Sequence, residues 1–470
     1  MDRPIRRLFL FFTLLFVALL LMLTYVQVWA APKLKTNASN TRAIEEEMKV
    51  DRGRIYSADG VELAVNKTDE NDSRYFERVY PQGDLTAPWL GYNSRQYGRA
   101  GVERIYNEEL SGQSGLLGIY SYWDELVGKT HVGADLKLTI DMAVQRAAAE
   151  ALGERKGAVV ALDPRTGAVL AMVSYPRYDP NRLSADWKTI NSDEGRPLVN
   201  RITSGLYPPG SVFKIVVTAA GLETDTVTPD TKFNDTGTVT AGGFVVHNFG
   251  GNAYGDHDFS KAFASSINTT FAKIGVEMGA ETLASYAAAF GFGKQIPWAL
   301  GGSISSFPVP ATMDKAHLAQ VSFGEGEILA TPMQMALVAS AVANGGQIME
   351  PYLVAQILDR GQSVLSQAKP QKWLTAMPAS TAETIRQLMI EVVNSGTGTR
   401  AALENVQVAG KTGTAEVADA ESHAWFVGFA PAEDPQVVVA VLVENGGSGG
   451  SVAAPVARSV IAAALAAAKE

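Results

Sequence analysis

One stretch near the start decides what kind of chain this is. After "MDRPIRR", the segment "LFLFFTLLFVALLLMLTYVQVW" runs 22 residues, 8–29, without a charge. As a helix rising about 1.5 Å per residue it spans roughly 33 Å, close to the hydrocarbon thickness of a bilayer. Arg3, Arg6 and Arg7 stand before it. Basic residues hold the shorter flank in the cytoplasm. The expected arrangement is therefore single-pass: residues 1–7 inside, a transmembrane anchor over 8–30, and everything after Ala30 outside. "VWA" at 28–30 also offers a small residue before a signal-peptidase cut. Cleaved signals have much shorter apolar cores, so an uncleaved anchor is the expectation.

Past the anchor the composition changes twice. Residues 31–150 hold 34 charged side chains in 120, against 51 in the 320 that follow. The first of these segments is the more solvated and reads as a separate, β-rich spacer domain, punctuated by "SADG" and "YPQGD". "TIDMAVQRAAAEAL", 139–152, has helical spacing behind an aspartate and bridges into the second domain, 151–470. There "GAVVALDPRTGAVLAMVS" is a hairpin signal, two apolar runs around a turn. "NVQVAGKTGTAEV", "AWFVGFAP" and "QVVVAVLVEN" supply three more strands near the far end. Helical stretches lie between, over 212–223, 260–278 and 332–344, and "VAAPVARSVIAAALAAAK" closes the chain. Strands from both ends with helices between predict an α+β fold with one antiparallel sheet packed by helices.

The net charge of −9 argues against a nucleic-acid binder, which would want a basic face. With no cysteine there is no disulfide and no thiol chemistry. The five histidines, His131, His247, His257, His317 and His423, fall at no metal-ligand spacing and read as surface or satisfied core residues. His247 and His423 flank the segments that carry chemistry. Neither a metal nor an organic cofactor is implied.

That chemistry begins at "YPPGSVFKIVVTAAG", 207–221. Pro208, Pro209 and Gly210 prevent a helix from extending backwards, so one starts at or beside Ser211. Its unpaired first-turn N–H groups suit a developing oxyanion. Lys214, at i+3, shares a face with Ser211. A serine is a poor nucleophile until a base takes its proton. A lysine amine serves if burial and a second cation lower its pKa. S-x-x-K alone is weak: "SQAK", 366–369, matches too, but sits in a polar stretch with no apolar helix behind it. Two further motifs matter. "SSINTTFAKIG" carries Ser266-Ile267-Asn268, and "AGKTGTAEV" carries Lys411-Thr412-Gly413. Alone, the first is a plain helix cap and the second a plain turn.

In this order the three motifs form the set found in penicillin-binding proteins and serine β-lactamases. The chain resembles a class B penicillin-binding protein, a membrane-anchored D,D-transpeptidase of the penicillin-binding protein A-like kind. "RGRIYSADGVELA" (52–64) and "GVERIYNEELSG" (101–112) resemble the family's N-terminal module. "GEGEILATPMQMALVASAVANGG" (324–346), "GTGTRAA" (396–402), "HAWFVGFAP" (423–431) and "ENGGSGGSVAAPVA" (444–457) resemble its transpeptidase domain.

The resemblance implies a nucleophile at Ser211 and a general base at Lys214. Ser266 would relay a proton at the leaving amine, and Asn268 would bind the peptide. Lys411 would supply charge, with the Thr412 and Thr414 hydroxyls, for the terminal carboxylate of a D-Ala-D-Ala stem. Gly413 would let substrate or backbone come close. The backbone N–H groups of Ser211 and Thr414 would form the oxyanion hole. The implied partners are peptidoglycan stem peptides as donor and amine acceptor, β-lactams as inhibitors, and a SEDS-type glycosyltransferase in a bacterial cell membrane. Two departures stand out: Ile267 where some relatives have Asp or Ser, and Glu325 where many have Gln.

Competing motifs fail on their own terms. "GGSGG", 446–450, fits a nucleophile elbow, but neither Asp nor His follows Ser448. "NVQVAGKT" lacks the first glycine of a P-loop, with Asn405 in its place. A carboxypeptidase remains the alternative among enzymes, and a noncatalytic membrane-tethered scaffold the alternative outside them.

Overall fold

The computed structural model of the chain describes residues 3–30, 49–68, 72, 75–114 and 132–469, with the backbone alone over 28–30. The expectations for His131 and for the other parts of 31–150 lie outside the described residues. Arg3–Thr24 is an α-helix that continues as a π-helical turn over Tyr25–Ala30. It is long and apolar enough to cross a membrane, and none of its residues is buried against protein. Gly449–Ala467 is comparably long and apolar, but its Ala453, Ala457, Val460 and Ile461 stripe is buried against the catalytic sheet. It is a core helix.

The N-terminal module is built on a six-stranded sheet. Its order is Val364–Gln367, Val354–Leu358, Asp135–Leu138, Ile55–Tyr56, Glu62–Thr68, Phe76–Val79. Two of the six strands arrive from about 200 residues downstream, Val354–Leu358 pairing antiparallel with Asp135–Leu138. The "SQAK" serine, Ser366, lies exposed on the outermost of these strands.

Inside this module Glu103 is completely buried between two arginines. Its carboxylate accepts from Arg52 Nε at 2.7 Å and Arg78 Nε at 2.6 Å. Arg52 also donates to the Glu103 carbonyl and to Asn107. Removing the acid leaves two guanidinium groups buried without a counter-charge. Glu103→Ala is therefore expected to destabilise the module by about 3–5 kcal/mol, read as a fall in the melting temperature of the detergent-solubilised chain.

The catalytic sheet uses strands β1 (Gly157–Leu162), β2 (Val169–Tyr175), β3 (Ala409–Val417), β4 (Ala420–Ala430) and β5 (Val437–Val443). Their spatial order is β3-β4-β5-β1-β2, antiparallel throughout. Strands from both ends of the domain thus share one sheet, as the pattern predicts. The β1–β2 turn closes with Gly167 N–H donating to Asp163 O at 2.8 Å.

β5, "VVVAVLV", is buried along its whole length because both faces are covered. Val438, Ala440 and Leu442 join one core, and Val437, Val439, Val441 and Val443 join the other. Helix Pro332–Ala343 covers one side, and Met142–Leu152 with Gly449–Ala467 the other. Met142–Leu152 starts where its aspartate predicts, with Asp141 accepting from the N–H groups of Ala143 and Val144. Strand β3 is a sheet edge, open on the side away from β4. That edge positions the site.

Candidate active site

Ser211 stands on a 3-10 turn, Gly210–Phe213, that runs directly into the buried helix Lys214–Glu223. Gly210 takes φ 54°, and its N–H donates to Gly324 O at 2.9 Å. A Cβ on Gly324, itself at φ 88°, would lie 1.8 Å from Gly210 O. Only glycine fits there. Gly324→Ala is expected to push the Ser211 turn out of place and to slow acylation by a fluorescent penicillin about 10²-fold, measured by gel labelling over time.

Lys214 and Lys411 are both fully buried, and they meet at one hydroxyl. Lys214 Nζ donates to Ser266 O at 2.9 Å, Ser266 Oγ at 3.1 Å and Asn268 Oδ1 at 2.7 Å. Lys411 Nζ lies 3.0 Å from the same Ser266 Oγ and 3.1 Å from Thr412 O. Phe271 and Phe263 present ring faces 5.0 and 5.7 Å from the two amines. Among the described residues, no hydrogen bond joins Lys214 to Ser211, one turn away.

Burial holds the Lys214 amine well below the usual lysine value, and the Lys411 charge pushes the same way against a weaker pull from Glu325. Burial alone lowers Lys411 to about 7. The sequence argument requires just this pairing of burial with a second cation.

Residues 260–278 are not one helix. Ser266 adopts φ 58° and breaks the run into Phe259–Ala264 and Asn268–Met278. The break turns the Ser266 hydroxyl toward the two amines. Ile267 is fully buried in the core, which explains why an apolar side chain serves at the middle of this motif.

A cavity of about 540 Å³ opens over these groups, with Ser211, Ser266, Asn268, Thr412 and Thr414 in its lining. Gly413 lets β3 close on the serine segment: a Cβ there would meet Pro209 O at 3.1 Å and the Trp425 side chain at 3.0 Å. The Thr414 carbonyl lies against Gly210, 2.9 Å from where its Cβ would be. In an antiparallel strand, the N–H and C=O of one residue point to the same side. The Thr414 N–H therefore faces the Ser211 turn as well.

All eight residues singled out by motif converge here. Others carried no short signature. Thr397 Oγ1 sits 2.5 Å from Thr412 Oγ1, brought in by the "GTGTRAA" segment. Asp235 is buried and accepts from Thr269 Oγ1 (2.6 Å), Asn248 Nδ2 (2.7 Å) and the N–H groups of Tyr254 and Gly237. It thereby ties one cavity wall to the first turn of Asn268–Met278. Asn268 Nδ2 donates to His247 O at 3.1 Å, which fixes its amide so that Oδ1 meets Lys214. Glu444 accepts from Tyr207, Arg201 and Lys156, anchoring the approach to Ser211.

The remaining sequence candidates resolve simply. His257 is satisfied by Gly255 O and Thr270 Oγ1, and His317 pairs with Asp314 at the surface. His247 lines the cavity, whereas His423 accepts from Asn445 N–H and packs on Tyr207. Gly410-Lys411-Thr412 lies within strand β3, not in a loop before a helix, so it makes no phosphate cradle. Ser448 lines the cavity at the start of Gly449–Ala467, with no acid or histidine after it.

A sheet faced by helices, with a serine turn at its open edge and two buried lysines sharing one hydroxyl, defines a serine acyl-transfer class. The chain belongs to the penicillin-binding protein transpeptidase family, whose domain model matches residues 157–462. Within it the relationship is to penicillin-binding protein A, whose dimerisation-domain model matches residues 52–136. The chain is 37% identical to the peptidoglycan D,D-transpeptidase PbpA of Mycolicibacterium smegmatis, over 99% of each chain. The imipenem acyl-enzyme complex of penicillin-binding protein A from M. tuberculosis superposes with a TM-score of 0.85 at 34% identity, covering 89% of this chain and 99% of that one. The penicillin G acyl-enzyme of the same protein gives 0.82 at 35% identity, over 88% and 100%.

Proposed function

We propose that this chain is a peptidoglycan D,D-transpeptidase that cross-links stem peptides through an acyl-enzyme on Ser211 and is acylated by penicillin at the same atom. The observation that carries the reading is the Ser266 hydroxyl held between the Lys214 and Lys411 amines at the floor of the Ser211 cavity.

The neutral Lys214 amine takes the Ser211 proton, and Ser211 Oγ attacks the carbonyl of the penultimate D-Ala. The oxyanion lies between the N–H groups of Ser211 and Thr414, donors typically worth about 3–4 kcal/mol each. Ser266 passes the proton from Lys214 to the departing amine, and terminal D-Ala leaves. An acceptor amine then attacks the acyl carbon, its proton returns by the same route, and Ser211 is restored. Asn268 holds the donor peptide. Lys411, Thr412 and Thr414 receive its terminal carboxylate, whose arrival raises the lowered Lys411 pKa and restores the charge. Gly413 lets the strand close on the serine turn and so keeps the Thr414 N–H beside Ser211.

Around this centre, residues 1–7 are cytoplasmic, 8–30 form a single membrane anchor, 31–150 act as spacer and 151–470 as the extracytoplasmic transpeptidase. The protein resides in a bacterial cell membrane and works beside a SEDS-type glycosyltransferase. Incubating the protein with a D-Ala-D-Ala stem and a labelled amine tests the reaction. Incorporation of the amine supports cross-linking, and D-Ala release without incorporation makes the protein a carboxypeptidase instead. Failure of fluorescent penicillin to label it at all would leave only a scaffold.

A further inference from the structure

The cavity is polar in direction as well as in lining. Thr412, Thr414 and Glu416 alternate along β3 and all face it, about 6.7 Å between successive members. The Lys411 amine and the Thr397–Thr412 pair occupy one end. The Ser211 turn packs at Thr414, in the middle. At the other end the Glu325 carboxylate accepts the Glu416 N–H at 3.0 Å. Glu325 has no ion-pair partner among the described residues, and its neighbour Gly324 is clamped to Gly210 beside the nucleophile. A largely buried carboxylate with one backbone donor, no contacting cation and only a weak pull from the Lys214 amine is an incomplete arrangement.

The proposed reaction supplies what is missing. Cross-linking joins the acyl end of one stem to an amine on another, and the stems are copies. A donor that has not already served as acceptor therefore brings its own unreacted amine, upstream of the bond that breaks. With the terminal carboxylate at Thr412 and the reacting carbonyl at Thr414, upstream residues run toward Glu416.

We propose that Glu325 is a specificity-determining residue that receives the free side-chain ammonium of the donor stem and so selects donors carrying an unblocked diamino acid. This rests on the transpeptidase reading. Burial pushes the Glu325 carboxyl up to about 8, against the Glu416 N–H and the Lys214 charge. An ammonium in contact draws it back to the charged form.

The test uses the full-length protein in detergent and two synthetic pentapeptides ending in D-Ala-D-Ala. One carries lysine with a free ε-amine at the third position, and the other carries the same lysine acetylated. D-Ala release gives kcat/KM for each. The wild-type protein is expected to favour the free amine by about tenfold or more, mostly through KM. Glu325→Gln and Glu325→Ala are expected to bring the two donors within about twofold. Penicillin labelling of each variant reports whether the Ser211 site is still assembled, and the wild-type comparison stands without either variant. Equal turnover of both donors by the wild-type protein overturns the assignment, as does a preference that survives both substitutions. A Glu325 effect that follows the acceptor's charge and not the donor's overturns it too. If neither donor is cleaved and penicillin leaves the wild-type protein unlabelled, the transpeptidase reading itself falls, and this assignment with it.

Discussion

Ser211→Ala abolishes the covalent penicillin adduct outright, while the chain keeps its fold and its melting temperature. The loss is total because no second group can form the bond. Lys214 is enclosed by Ser266 and Asn268, and the Ser266 hydroxyl is held between two amines. The substitution removes only a hydroxyl from a half-exposed position on a turn fixed by Gly210 and Gly324. Little stability is at stake there. A mass spectrum of the intact protein after exposure to penicillin checks both sides: one added mass mapped to Ser211 in the wild type, and none in the variant. An adduct of the same mass in Ser211→Ala, on any other residue, would falsify the assignment of the nucleophile.

The second large effect belongs to Lys214. Lys214→Met is expected to slow acylation by about 10²–10⁴-fold, the usual worth of a positioned proton acceptor. Its pH profile separates that role from packing. Acylation needs the neutral amine, so the wild-type rate climbs as pH rises through the lowered Lys214 pKa. Turnover of a carboxylate-bearing stem falls again at higher pH as Lys411, lowered to about 7, loses its charge. The two limbs belong to the coupled pair of amines. In Lys214→Met the rising limb disappears.

Linkage gives a second readout with a definite sign. Each lysine binds its proton less tightly folded than unfolded, so each favours the folded state more as pH rises toward 10.5. For Lys411 that window opens near 7. The slope of stability with pH, measured by thermal melts, should therefore be shallower in Lys214→Met than in the wild type. An unchanged slope together with an unchanged rate profile would mean that the amine is charged throughout and serves only as a structural donor.

What could be read in advance was local or periodic. Ser211 with Lys214 is one turn of helix, and Lys411 to Thr414 is one stretch of strand. Asp141 caps its helix from within three residues, and the β1–β2 hairpin turns within five. The failures share a cause. Ser266 breaks the expected 260–278 helix because its left-handed backbone is settled by lysines 52 and 145 residues away. Asp235 draws its meaning from Thr269, and Glu325 from Glu416, 91 residues on. None of these pairs leaves a pattern in composition or period, because the partner is chosen by the fold.

The late strands of the N-terminal sheet have a mechanical consequence. Val354–Leu358 leaves the helix that braces β5 and, within a dozen residues, is hydrogen-bonded to Asp135–Leu138. The module nearer the anchor is thus stitched to the catalytic half by a shared ladder and does not dangle from it on a linker. It works as a strut. The position of the cavity relative to that module is fixed by sheet geometry, and a tilt of the strut moves the cavity with it. A chain cut before β1 would lose the four strands that shield Val354–Leu358, and the bare edge it exposed would seek pairing elsewhere.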